Sequence, residues 1–256
     1  MNLRNMKKIE NIWNIFAKHG AKKYTSAIIL AAGKSERMGE QALSKQLLPI
    51  DGIPVVVRSL LAFENSEYIH EIIVVAAKHE MSQYQAFKEK YSLTKLKAVT
   101  SGGSSRAESA YRGFLKVSKS CEFIAIHDAA RCLIVTEDID RTIQEAYLTG
   151  AAIAAKKATD TIKKADSNGF IVETIDRSLI WLAQTPQVFK KSIYEVSVAC
   201  AGKADEKITD DSMLAELSGF HVKLVECNEE NLKITTRQDL ALAEKIIQNR
   251  KRNGQI

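Results

Sequence analysis

Short runs of consecutive apolar residues alternate along the chain with longer stretches in which apolar positions recur every three or four residues. Residues 27–32 (AIILAA) read as a buried strand stopped by Gly33, and residues 54–63 as a helix with proline in its first turn. Residues 71–77 (EIIVVAA) predict a second strand, 81–91 a helix, and 96–100 a third strand closed by Gly102 and Gly103. Ser105 with Glu108 three residues on has the form of a capping box, opening a helix through Ala110, Phe114 and Leu115. Residues 123–126 and 151–155 predict the fourth and fifth strands, with a helix at 136–147 between them. A polar stretch at 161–168, then Gly169 and residues 170–175, predicts a hairpin-like arm outside the core. A helix near 191–201, late strands at 221–226 and 232–235, and a closing helix at 237–249 complete the pattern.

Strands that alternate with helices of this length imply an α/β fold, a mainly parallel sheet with helices on both faces. In such sheets ligands lie beyond the carboxyl ends of the strands, where the strand order switches. That directs attention to AAGKSER (31–37), SGGSSR (101–106), HDAAR (127–131) and the residues around Thr161. Before the alternation begins, Ile9, Ile12, Trp13 and Phe16 fall on one helical face, and Gly20 is a stop signal. This predicts a short helix packed on the body or on a partner subunit. The division is therefore an amphipathic extension at 1–25, one domain at 26–250, and an arm at about 161–177.

Composition narrows the function classes. A chain of 256 residues with 45% hydrophobic content has the apolar material for a full core. The four cysteines, Cys121, Cys132, Cys200 and Cys227, lie far apart without a CxxC, which predicts reduced thiols and a cytoplasmic location. No apolar run approaches the length of a membrane span, and the spaced apolar residues at the start do not form a secretory signal. The net charge is +6, but residues 1–26 hold six Lys/Arg against one acid and residues 245–256 hold four against none. The body between is mildly acidic, so the basic ends read as solvated tails and no nucleic-acid partner is predicted.

Gly33-Lys34-Ser35 looks like the end of a phosphate-binding P-loop, but Ile28 stands where that motif needs its first glycine. No GxGxxG is present either. The small residues Ala31, Ala32 and Gly33 instead let backbone N–H groups approach a nucleotide closely. Arg37 and Lys45 follow as two cations suited to a triphosphate. His127 beside Asp128 suggests a metal pair, but a core-facing histidine is the stronger reading. Asp210-Asp211 fits either a carboxylate pair for metal or a helix start.

The runs LAAGKSERMG and KQLLPI, then SGGSSRAES, IHDAAR, ATDTIK, IDRSLIWLAQTPQ, ITDDS and NLKITT together resemble the 2-C-methyl-D-erythritol 4-phosphate cytidylyltransferase family, in its order from residue 27 to about 246. The resemblance implies a Rossmann-like, GT-A-like nucleotidyltransferase sheet, a homodimer joined by protruding arms, CTP as co-substrate and Mg²⁺ as the divalent metal. It implies Arg37 and Lys45 as catalytic cations stabilising the pentacoordinate transition state. Arg177 and Lys233 then position the polyol phosphate, with Arg131, Thr161 and Thr209 as further substrate contacts. Ala31, Ala32, Gly33, Gly103, Ser109 and Ala129 match nucleotide contacts, and Asp128 the metal-side carboxylate. Cys132 stands where the family usually has proline. A ribitol-type polyol-phosphate cytidylyltransferase shares this frame, and a nucleotide-binding regulatory protein with an inactive site is the reading from a different class.

Overall fold

The computed structural model describes residues 22–33, 44–201 and 208–255. The periodicity at residues 9–16, the decoy Lys34 and the catalytic candidate Arg37 lie outside those residues.

Strand β1 (Thr25–Ala31) carries the alternation that defines the two faces of the sheet. Ala27, Ile29 and Ala31 enter one apolar cluster, while Ile28 and Leu30 enter another on the opposite side. A small hairpin follows, β2 (Pro49–Ile50) with β3 (Ile53–Pro54). Then come β4 (Ile69–Ala76), β5 (Leu96–Ser101), β6 (Phe123–Asp128) and β7 (Ala151–Lys157). The arm contributes β8 (Ile162–Ala165) and β9 (Ile171–Ile175), and the chain returns through β10 (Trp181–Lys190) and β11 (Lys223–Glu226). Seven strands form the central sheet in the order β11-β7-β10-β6-β1-β4-β5. All its pairings are parallel except those of β10, which runs antiparallel between β6 and β7.

The helices are α1 (Val55–Asn65), α2 (Gln83–Lys90), α3 (Arg106–Phe114), α4 (Thr136–Thr149), α5 (Lys191–Ala201), α6 (Asp211–Leu217) and α7 (Arg237–Arg252). One face of the sheet is covered by Val56, Leu60 and Phe63 of α1, Tyr84 of α2, and Ile139 and Ile143 of α4. The other is covered by Ala110 of α3, Tyr194 of α5 and Ala215 of α6. Helix α4 ends at Gly150, whose φ of 87° only glycine adopts without strain. Helix α7 starts in a full capping box between Thr236 and Asp239. It packs Ala243 and Ile247 on Ile50, Val55 and Ile234, and Cys132 fills that cluster, only 4% exposed.

The mainly parallel sheet covered on both faces is the fold predicted from the alternation. Two segments go beyond or against the predicted pattern: residues 181–190, for which no element is predicted, and residues 232–235. Residues 181–190 form the longest strand of the sheet, although Pro186 argues against a central strand. The proline sits where the β10–β7 register breaks, between Ala183 and Gln187, so no ladder donor is lost. Residues 232–235, expected as a strand, form none. Their backbone is held by single bonds, such as Ile234 N–H to the Ala130 carbonyl at 2.8 Å. The arm strands β8 and β9 pair with each other rather than with the central sheet, and Phe170, Ile171, Val172 and Leu179 around them are exposed. Among the described residues no helix is long and apolar enough to cross a membrane.

Candidate functional site

A cleft of about 450 Å³ opens over the carboxyl ends of β1, β5 and β6, at the point where the strand order reverses. Its floor is Leu30, Ala32 and Gly33; one wall is the turn from β5 into α3; Lys45 and Gln46 close another side, and Asp128 and Lys233 face them.

Close backbone approach shapes the wall. A side-chain carbon on Gly102 would lie 2.3 Å from that of Ala32, so the two loops touch only because one residue is glycine. The Gly103 N–H donates to Ser109 Oγ at 3.0 Å, and that hydroxyl donates to the Ser105 carbonyl at 2.8 Å. Ser105 caps α3 by accepting from Glu108 N–H at 3.0 Å. The reciprocal half of the predicted capping box is displaced by one residue, because the Glu108 carboxylate accepts from Ser104 N–H and Oγ, both at 2.6 Å. On the other side Gln46 Nε2 donates to the Gly33 carbonyl at 3.2 Å, joining the ends of the segment that carries Arg37.

Charge in the cleft is organised as a chain of ion pairs. Asp128 Oδ1 accepts from Arg106 Nε at 3.1 Å, and Oδ2 from Lys233 Nζ at 2.6 Å. Arg106 Nη1 reaches Asp211 Oδ2 at 2.6 Å. Burial by itself raises the Asp128 carboxyl, but Arg106 and Lys233 outweigh it and hold the group well below the usual carboxylate range. Arg106 shows the converse balance: burial lowers it, while Asp211 and Asp128 push it up. Lys45 is 8% exposed at the edge of this cluster. Arg106 was not among the residues singled out from the sequence, although it ends the SGGSSR segment; its distant partner Asp211 is visible only in the fold.

His127 is fully buried against the ring of Phe63 and lies 2.9 Å from the Thr185 hydroxyl. Burial pushes it down to about 3, so it is neutral near pH 7. It is core-facing, with the Thr185 hydroxyl on Nδ1. Asp210 takes the helix-start role, accepting from Met213 N–H at 2.9 Å at the beginning of α6. Among the described residues no group of three or more His, Cys, Asp and Glu is placed to hold a metal ion.

The fold thus gathers Ala32, Gly33, Lys45, Gly103, Ser109, Asp128 and Lys233 around one cleft. Ala31 and Ala129 lie buried beneath it, where the Ala129 N–H donates to the Leu30 carbonyl at 3.0 Å. Arg131 lies behind Asp128, with Nη1 donating to the Asn231 carbonyl at 2.9 Å. Thr209 is exposed just before α6. Thr161 and Arg177 do not line this cleft. They are exposed on the arm, and Arg177 donates to the Thr159 carbonyl at 2.5 Å.

Residues 25–249 match the family described as 2-C-methyl-D-erythritol 4-phosphate cytidylyltransferase. A protein of that name from Caldanaerobacter subterraneus subsp. tengcongensis is 46% identical over 223 residues, covering 86% of this chain and 96% of its own. One from Alkaliphilus metalliredigens is 38% identical over 228 residues, 88% of this chain and 94% of its own. The crystal structure of 4-diphosphocytidyl-2C-methyl-D-erythritol synthase from Anaerococcus prevotii superposes with a TM-score of 0.79 at 28% identity, over 89% of this chain and 99% of that one.

Proposed function

The chain belongs to the 2-C-methyl-D-erythritol 4-phosphate cytidylyltransferase family, and from that premise we propose that the cleft over β1, β5 and β6 is where it joins its two substrates. It is a nucleotidyltransferase that combines CTP with 2-C-methyl-D-erythritol 4-phosphate, giving 4-diphosphocytidyl-2-C-methyl-D-erythritol and pyrophosphate in the non-mevalonate route to isoprenoids. The observation that carries the site is the cation–carboxylate cluster of Lys45, Arg106, Lys233 and Asp128, facing a wall of small residues with close backbone approach.

A phosphate oxygen of the polyol phosphate attacks the α-phosphorus of CTP, and the bond to the β-phosphate breaks as pyrophosphate leaves. The nucleophile is already ionised, so no general base is needed, and neutral, buried His127 takes no proton. The barrier is largely repulsion between polyanions, which fixed cations offset. Lys45 and Arg37 stabilise charge on the triphosphate in the transition state. Ala32, Gly33, Gly103 and Ser109 form the nucleotide side, with Ala31 and Ala129 packed beneath them. Lys233, Arg131, Thr209 and, from the arm, Thr161 and Arg177 hold the polyol phosphate.

Asp128 fits a magnesium site of the substrate-borne kind, in which one or two carboxylates join phosphate oxygens and waters around the ion. It is ionised and faces the cleft. When bound, Mg²⁺ neutralises phosphate charge, and Asp128 would hold it. The exposed apolar residues of the arm support a homodimer in which Thr161 and Arg177 reach the neighbouring subunit's cleft. Residues 26–250 act in this reading as one catalytic domain of a cytoplasmic enzyme, with 1–25 as an extension.

The test is pyrophosphate release from CTP with a panel of polyol phosphates. Turnover with 2-C-methyl-D-erythritol 4-phosphate should stand well above that with ribitol 5-phosphate, and CTP should be preferred to UTP and ATP. Equal or faster turnover with ribitol 5-phosphate overturns the substrate assignment.

A further inference from the structure

Asn231 belongs to the NLKITT segment that supplies Lys233, yet the chemistry above makes no use of its side chain. It is fully buried. Its amide nitrogen donates to Gln184 Oε1 at 2.9 Å and to the Thr185 carbonyl at 3.1 Å, so both donors are committed to β10. Its own backbone carbonyl accepts from Arg131 Nη1 at 2.9 Å. The Thr185 hydroxyl in turn accepts from the Asp128 N–H at 3.1 Å.

We propose that Asn231 is a positioning residue that ties the two cations of the polyol-phosphate side, Arg131 and Lys233, to the segment of β10 whose Thr185 also holds Asp128. The proposal rests on the reading of Arg131 and Lys233 as polyol-phosphate contacts. Lys233 lies in a segment without a strand ladder, fixed on one side by Asn231 and on the other by Ile234 N–H to the Ala130 carbonyl at 2.8 Å. A lysine ammonium is a point charge on a flexible stem, so its placement depends on the backbone that carries it. Without the Asn231 amide, the buried Gln184 Oε1 and Thr185 carbonyl each lose this donor, and the segment shifts to restore hydrogen bonds. The Asn231 carbonyl moves with the segment, so Arg131 Nη1 loses that acceptor while Nη2 keeps only the longer bond to the Ala183 carbonyl at 3.5 Å. The nucleotide wall, built from β1 and the turn into α3, makes no contact with the Asn231 amide and stays in place.

Steady-state constants for both substrates on Asn231→Ala, Asn231→Ser, Arg131→Ala and the Asn231→Ala/Arg131→Ala pair test this. Asn231→Ala should raise KM for the polyol phosphate about tenfold or more and leave KM for CTP within about twofold. Asn231→Ser, which keeps one donor, should fall between the variant and the parent. The double variant should be less damaged than the product of the two single effects, because both act on one group. If Asn231→Ala does not fold, the Ser variant decides by the same split. A parallel rise in both KM values, or full multiplicativity in the pair, overturns the proposal. An Arg131→Ala variant with parental constants instead overturns the reading of Arg131 on which the coupling rests.

Discussion

Arg106 places its guanidinium between two carboxylates and so sets the cost of disturbing the site. Asp211 is 1% exposed, and removing Arg106 alone leaves it buried without its cation. Arg106→Ala should therefore lower unfolding free energy by about 3 kcal/mol or more in urea titration. Arg106→Met with Asp211→Leu, which removes both charges, should be milder than the single change. If the double variant is the less stable, the pair holds the fold by attraction rather than by mutual need. For the loop cations, Lys45→Ala and Arg37→Ala should each lower kcat more than they raise KM, by about 10²–10³. Lys34→Ala should change little, because GKS here is no P-loop. A Lys34→Ala variant more damaged than Arg37→Ala would mean that the phosphate loop is assigned wrongly.

At the scale of elements, the arm is the piece whose surface is least explained by the single chain. Phe170 is 72% exposed and Leu179 78%, beside strands that pair only with each other. A two-stranded ribbon of this kind is marginal alone and gains stability from a partner. Replacing residues 163–174 by a short glycine-rich turn should give a monomeric mass in light scattering and sharply lower turnover. The same mass as the parent chain would overturn the arm as the surface that joins two copies. Residues 181–190 and 232–235 show why element-level reading fell short. Residues 181–190, to which the sequence pattern assigns no element, form a strand whose register breaks around Pro186, and a buried asparagine and one backbone bond hold residues 232–235 without a ladder.

At the scale of the whole molecule, burial makes stability respond to pH. The Cys132 thiol, packed among Leu133, Ile234 and Ala243, is pushed up to about 12 by burial. In the unfolded chain it ionises near pH 8.5, so its contribution is complete below that value and is lost as pH rises toward 12. Between pH 8 and 10 the parent should lose about 2 kcal/mol more than Cys132→Ala in urea unfolding. Equal losses would show that the thiol is not shielded. The sequence alone determined the alternating α/β pattern, the order of the glycine-rich and charged segments and the family resemblance, because periodicity and motif order are local properties of the chain. Gly33, Gly103, Ser109, Asp128, Lys45 and Lys233 were legible for that reason: all six stand in recognisable motifs, and Gly33, Gly103 and Asp128 lie at or just past strand ends. Only the tertiary structure decided that β10 runs antiparallel between β6 and β7, that Arg106 joins Asp128 to Asp211, and that Asn231 binds Gln184 and Thr185. Those pairings span 22 to 105 residues of chain, and no sequence period encodes a partner that far away. They exist because the sheet brings distant loops to one edge, where buried polar groups must find each other.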